Sequence, residues 1–579
     1  MPRSNRATTY TSSKACRLAR EWLEECETKH GICRKPVTIS EFTLPRRLID
    51  VGSPDSRAPF LIETATLEDK NCRYAALSHC WGDPSKLLQT LASNISEHYE
   101  EIPWAALPNT FQDAITVTRG LGLRYLWIDS LCIIQKNKTD FEHECASMHL
   151  IYLHCCVTIA ASDSHNGTEG FLKFWDDFDQ PASAATLPAP PSATSTPKPL
   201  ALKTQIPVDE QAFRPPSSQF RHNRYIEWSE WSKVLDGPLN TRAWAYQERQ
   251  LAPRILHYTR YGVMWECRQR IGAGDSRLLQ LRRICVGLRW DRFFPSLNAF
   301  RVLDTDKSRQ SLDEIMDLWL LNVEAYSQRQ LSHPEDKLPA LSGLAAAVVA
   351  MAEGSAAVEP HTYLAGIWLS HIQRQLFWCA GEPDEHDPGV PFWPPQEANS
   401  LPSWSWASYD GPVSFYPLGR LNEHAPYHHR YSRTELFKGE YTDTQNMRRC
   451  DRFEYLSKDI SPAGADPFGA IQGNCLRIQG SFFDEDVSKM TECAQKNTYR
   501  LHCDDGLASV LYVLFDLIPP SFEGLTLRFL LLLKDNYLFC GIVLQATETR
   551  TFRKVGIFGI RTSDNRADLG WHLREMTLV

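Results

Sequence analysis

Much that would classify this chain at once is missing from it. No long block of lysine or arginine occurs, and the formal net charge is only -8 over 579 residues, so the general electrostatic footprint of a nucleic-acid binder is absent. Apolar runs are short: Phe529 to Leu533 stops at Lys534 and Asp535, far below the ~20 residues of a membrane span, and reads as a buried strand. Residues 1–20 contain no apolar secretory region. They are rich in Arg, Ser and Thr with no acid before Glu21, which is also how a mitochondrial transit peptide reads. No P-loop and no strand-linked G-x-G-x-x-G appears, which argues against a standard nucleoside triphosphatase or Rossmann dehydrogenase; Gly120-x-Gly122 follows an expected helix. A G-x-S-x-G elbow is lacking, and no period suggests a solenoid or propeller.

What remains is an ordinary globular composition, 43% hydrophobic and 23% charged, which excludes disorder of the whole chain. The length suggests two to four domains of roughly 100 to 200 residues. Seventeen cysteines in a long chain without an export signal argue for reduced thiols, so the expected compartment is the cytoplasm, with nucleus or mitochondrion still open.

Periodicity gives the order of elements. Leu18, Trp22 and Cys26 share a face of a first helix, and Arg47 to Val51 and Phe60 to Thr64 read as short strands. Residues 74–82 form a strand ended by Gly82, Asp83 and Pro84. Residues 107–122 form a helix, with Pro108 near its start and Gly122 closing it. Residues 125–134 read as a central strand, 140–153 as a helix with Phe141, Met148, Ile151 and Tyr152 toward a core, and 155–162 as another buried strand. This alternation predicts a parallel α/β sheet. A helix over 239–251, with Asn240 as cap, leads to strands at 254–258 and 263–267. Residues 182–200, mostly Pro, Ala, Ser and Thr with no large aromatic, read as a linker or insertion. Residues 310–380 read as mainly helical, and the chain from about 470 as strand-rich and antiparallel. The expected units are 1–69 (a helix and short strands), 70–270 (the sheet domain), 271–420 (helical) and 421–579 (β-rich).

Three blocks stand in order: Tyr74-Ala-Ala-Leu-Ser78-His79-Cys80-Trp81-Gly82; Leu107-Pro108 with Tyr125-Leu-Trp-Ile-Asp129-Ser130-Leu-Cys132-Ile-Ile-Gln135; and Leu239-x-x-Arg242-x-Trp244-x-x-Gln247-Glu248-Arg249. Together they resemble the heterokaryon-incompatibility (HET) family of filamentous fungi, over about residues 70 to 270. Flanking stretches at Pro334–Ala345 and Pro402–Ser408 also look like family members outside that domain. The resemblance implies a role in fungal non-self recognition and programmed cell death, as signalling protein or effector. It implies a fold distantly similar to Toll/interleukin-receptor (TIR) domains, hence flavodoxin-like. TIR domains suggest two chemistries, assembly by self-association and cleavage of a nucleotide such as NAD, and the expected contacts are a protein partner or a second copy. The family carries no settled activity to transfer residue by residue, so whether this is an enzyme stays open.

In an open parallel sheet, ligands sit beyond the carboxyl ends of the strands, which makes Ser78, Trp81, Gly82 and Ser130 candidates for binding, joined by Arg242, Trp244 and Glu248 of the third block, and makes Asp129, with Glu144, a candidate for catalysis. A carboxylate such as Asp129 within an apolar run must be paired or shifted in pKa; it marks a site, or it caps a helix or pairs with an arginine. Glu144 shares a helix face with Met148 and Tyr152. Under the TIR comparison it would stabilise positive charge on a ribose as nicotinamide leaves; otherwise it forms a salt bridge to Arg242 or another arginine. Arg242 is a candidate to hold a phosphate or Asp129, with Tyr246 and Arg249 on its face. Trp244, on a face with Glu248, would stack on a base or serve as a core residue. Ser78, His79 and Cys80 do not make a triad, because adjacent strand residues point to opposite faces.

Two groups mimic metal sites: Cys26-x-x-x-His30-x-x-Cys33 with Cys16 upstream, and Cys145, His149, Cys155 and Cys156. Zinc ribbons and fingers use tighter pairs, and the first group lacks C-x-x-C, so packed thiols are expected there and no metal.

Overall fold

The computed structural model describes residues 14–34, 43–52, 58–172, 237–260, 262–268, 271–274, 311–352, 358–380, 401–415, 448–493, 498–502, 510–516, 523, 525–534, 538–548, 550–561 and 571–579. The 182–200 stretch lies outside them. The N-terminal part is built on eight strands: β1 (Arg47–Asp50), β2 (Phe60–Glu63), β3 (Tyr74–Ser78), β4 (Tyr125–Trp127), β5 (Val157–Ala160), β6 (Arg254–Thr259), β7 (Gly262–Cys267) and β8 (Ile271–Gly274). They form one sheet in the order β2-β1-β4-β3-β5-β6-β7-β8.

Only the centre, β4-β3-β5-β6, is parallel; both flanks pair antiparallel. The sheet is therefore mixed, where alternation alone suggested a parallel one. The reason is connection length. Parallel neighbours need a crossover of about a dozen residues or more, which the steps into β4, β5 and β6 provide and the tight β6–β7 hairpin does not. The parallel centre is buried throughout in β3 and β5. Helices α1 (Lys14–Lys29), α2 (Asn109–Gly120), α3 (Lys138–His154) and α4 (Ala243–Leu251) pack around it, α1 against α2 and β7, and α3 against α4. The chain steps from β3 one way to β4 and then back past β3 to β5. With right-handed crossovers, this reversal puts α2 and α3 on opposite faces and opens a crevice between β3 and β5 at their carboxyl ends.

Local boundaries differ from the periodic reading in three places. The strand expected over 125–134 stops at Trp127, and Asp129–Cys132 is a single helical turn. Phe141 is 42% exposed instead of facing the core. In the first turn of α3 the inward position belongs to Asp140, and the inner line continues through Glu144, Met148, Ile151 and Tyr152. Helix α4 begins at Ala243 after a 3-10 turn over Pro238–Thr241, so Asn240 is not its cap; its Oδ1 accepts from Arg249 Nη1 at 3.3 Å.

Further on, α5 (Leu312–Ser327) starts with a capping box of Ser311 and Glu314, and α6 is Ser342–Met351. The stretch over 361–379, expected to be helical, is a hairpin of Tyr363–Leu364 with Ile367–Trp368, a short helix Ile372–Leu376 and a strand Trp378–Ala380. The hairpin turns on Gly366, at φ +93°, whose carbonyl accepts from the Trp319 and Trp406 indoles at 3.2 and 2.9 Å. A Cβ at Gly366 would lie 2.5 Å from Trp406 Nε1, so burial of two tryptophans outweighs local helix preference. Ten strands between Arg448 and Leu578 form the last sheet, antiparallel except for a short parallel contact of Thr551–Phe552 with Thr577–Leu578. One apolar cluster runs from Ala243 of α4 through α5 and α6 into this sheet; a second holds α1, α2, α3 and the first sheet.

Candidate functional site

The carboxyl end of β3 sets the site by alternation. Ser78 is buried, and its hydroxyl donates to Glu248 Oε2 on α4. The next residue, His79, points to the other face, where its ring meets Phe111 of α2 edge-on at 5.2 Å and its Nδ1 lies 3.9 Å from Asp129 Oδ1. Ser78 and His79 thus serve different partners, as the pleat requires. Burial lowers the His79 pKa to about 4, which keeps its ring neutral at physiological pH. Burial pushes Glu248 up to about 7, against the pull of the Ser78 hydrogen bond and the Arg242 charge.

Asp129 opens the helical turn after β4. One carboxylate oxygen accepts from Trp81 Nε1 at 2.6 Å and the other from the Ser130 backbone N–H at 2.7 Å. Ser130 is fully buried behind it, and its carbonyl accepts from Thr90 N at 2.9 Å. Gly82 turns the chain at φ +69° against Asn166, whose Cβ would stand 2.3 Å from a Cβ at that position. Arg242 donates to the His79 carbonyl, tying the start of α4 to the end of β3. Ser78, Trp81, Asp129, Arg242 and Glu248 are therefore gathered at one rim of the sheet.

Glu144 and Trp244 are elsewhere. Glu144 is 1% exposed and lies 3.9 Å from Arg47 Nη2 and 4.0 Å from Arg46 Nε. Its arginine partners are thus on and beside β1, and Arg242 is not among them. Burial raises its pKa to about 7, with Arg47 opposing. Arg47 is itself committed to Asp140, and its Nε donates to the Cys132 carbonyl at 2.7 Å. Trp244 is half-buried at the seam of the two apolar clusters, and its indole donates to Asp336 at 3.1 Å.

Behind Ser78 lies a second polar group that pattern reading missed. His257 of β6 meets Ser162 Oγ through Nδ1 at 3.2 Å and Glu266 through Nε2 at 2.7 Å, and Arg249 donates to the same Glu266 oxygen at 3.1 Å. The available signal was a histidine and a glutamate on the facing strands of one hairpin. Ser162, His257, Arg249 and Ser78 help line a cavity of about 10 Å³, the size of a single water and far below the ~300 Å³ or more of a ligand pocket.

Among the Cys/His groups, Cys26, His30 and Cys33 gather with Cys267 of β7. Cys16, the expected fourth member, instead donates to the Gly120 carbonyl at 3.3 Å. In the other set, Cys155 Sγ bonds the Tyr152 carbonyl and Cys156 Sγ bonds Glu27, and these residues do not converge. No helix among the described residues is long and apolar enough to cross a membrane.

Residues 74–248 match the family model described as heterokaryon incompatibility protein (HET), a span that begins on β3 and ends at Glu248. No curated protein and no solved structure matches the chain.

Proposed function

Taking as premise that the chain carries a heterokaryon incompatibility domain at residues 74–248, we propose that it acts in fungal non-self recognition and programmed cell death, as a signalling or effector protein working through protein contact or self-association. The observation that carries this reading is the state of the strand-end rim. Ser78 is bonded to Glu248, Trp81 to Asp129 and Arg242 to the His79 carbonyl, so the polar groups of the rim are spent on one another, an arrangement suited to holding a shape. The reversal between β3 and β5 follows flavodoxin-like winding, which supports a TIR-like ancestry. Phe141 offers an apolar contact on the outer face of α3.

The second reading, cleavage of NAD, draws support from Glu248, a buried carboxyl at the reversal point held near neutrality. Glu144 serves that reading less well, enclosed as it is by Arg46 and Arg47.

Induced expression in a filamentous fungus separates the two. On the assembly reading the full chain should arrest growth, Glu144→Gln and Glu248→Gln should retain the arrest, and Phe141→Arg should relieve it at unchanged protein level. Purified chain incubated with NAD should release no nicotinamide. Release that disappears in Glu248→Gln would replace the assembly reading with the enzymatic one. Wild-type chain without any effect on growth would remove the cell-death role.

A further inference from the structure

Four side chains far apart in sequence converge on one buried point. The donor atoms of Cys26, His30, Cys33 and Cys267 all lie within 4.8 Å of one another, and all four residues are buried. Among the described residues this is the one group of three or more such side chains with that property. His30 Nδ1 stands 3.4 Å from Cys267 Sγ and 4.0 Å from Cys33 Sγ. Tetrahedral zinc with Zn–S of about 2.3 Å and Zn–N of about 2.0 Å places its ligand atoms about 3.5 to 3.8 Å apart. The observed separations bracket that range, so a small inward adjustment closes the shell.

We propose that Cys26, His30, Cys33 and Cys267 form a structural zinc site of the Cys3His type. The sequence supplies three ligands locally. Cys26 lies in the last turn of α1, His30 follows the helix end, and Cys33 falls in the short helix Gly31–Arg34, which turns the chain back toward the same point. The fourth ligand is the last residue of β7, 237 positions beyond His30.

An independent observation concerns charge. Three thiolates around a dication leave one negative charge, and the groups around such a site must compensate it. Arg254, the first residue of β6, donates its Nε to Cys26 Sγ at 3.2 Å and its Nη2 to the Cys33 carbonyl at 3.4 Å. A guanidinium aimed at the sulfur of a buried cysteine suits a thiolate shell, whose net negative charge it would offset. Binding proceeds with loss of the three thiol protons to solvent and no change of oxidation state.

The site has a definite mechanical sense. All four ligands lie outside the 74–248 match, and together they clamp α1 to the sheet's β7 side. Trp22 of α1 packs on Trp265 of the same strand with ring centroids 6.2 Å apart, so the metal would lock a contact that apolar packing begins. Four ligands from the protein fill the tetrahedron, which makes the site structural and leaves no open position for catalysis.

The test uses the full chain purified from zinc-supplemented medium without chelators. Elemental analysis should find about one zinc per chain, and replacement by cobalt(II) should give the intense visible bands of a tetrahedral thiolate site. Cys267→Ser should lower the bound zinc at least severalfold. Cys16→Ser should leave it unchanged. Arg254→Ala should weaken zinc retention against a competing chelator by about 10- to 100-fold. Should the ligand variants fail to fold, titrating the wild-type thiols with a mercurial should release the zinc stoichiometrically. Folded chain that holds less than about half a zinc and takes up no cobalt would overturn the proposal. So would a disulfide between Cys26 and Cys33, or retention of zinc in Cys267→Ser.

Discussion

At the scale of the residue, Glu248 carries the clearest consequence. Its folded-state pKa of about 7 stands above the ordinary glutamate value of 4.5, because burial disfavours the charge more than Ser78 and Arg242 favour it. The folded chain therefore keeps a proton that the unfolded chain releases. The stability this group contributes is whole below about pH 4.5, declines as pH rises, and is lost above about pH 7. Glu248→Gln cannot titrate. The difference in unfolding free energy, wild type minus variant, should fall by about 3 kcal/mol from about pH 4.5 to about pH 8. Denaturation at a series of pH values measures it, and a difference independent of pH would show that folding leaves the carboxyl's pKa unchanged. The sequence marked Glu248 as a binding candidate, on a helix face with Trp244, without its partner. Its bond to Ser78 spans 170 positions, and no local pattern carries that information.

At the scale of the element, the contact among α3, α4 and α6 rests on a missing side chain. Gly343 lies in α6, where alanine would ordinarily stabilise the helix by about 1 kcal/mol. Here an added Cβ would stand 2.3 Å from His149 Cβ on α3 and 3.0 Å from Leu251 Cδ1 on α4. The Gly343 N–H also donates to Gln247 Oε1 at 3.2 Å. Gly343→Ala should therefore destabilise the chain by about 1–3 kcal/mol despite its helix preference, seen as a lower urea midpoint. A raised midpoint would mean that the helices separate easily. Strands and helices with a clear apolar period were legible at this scale: the elements at 74–78, 109–120 and 157–160 lie where spacing put them. The elements at 129–132 and 363–380 were not, because their form follows from partners. Asp129 turns to meet Trp81, and Gly366 turns its carbonyl to two indoles.

At the scale of the whole molecule, α4 belongs to two cores. Ala243, Tyr246 and Leu251 pack in the apolar cluster that continues to Leu578, while α4 also brings Glu248 to Ser78. Tyr246 donates to Asn322 at 2.8 Å, and the Arg329 guanidinium lies 4.6 Å over its ring. A fragment ending near residue 270 keeps the matched span and the whole α4 helix, yet bares this face. It should be poorly soluble and bind a hydrophobic dye, whereas the full chain should unfold as a cooperative unit. A soluble fragment with a sharp thermal transition would show that the first sheet stands without the later chain.

The blocks that match the heterokaryon incompatibility model over 74–248, the parallel pairing of the central strands and the strand-end position of Ser78 were legible in the sequence alone. They depend on short blocks and on periods of two and 3.6 residues, which are properties of neighbouring positions. The antiparallel flanks, the partners of Glu144 and Glu248 and the arrival of Cys267 beside Cys26, His30 and Cys33 were decided only by the tertiary structure. Each is a meeting of side chains from separate elements, set by how the sheet and its helices pack rather than by spacing along the chain.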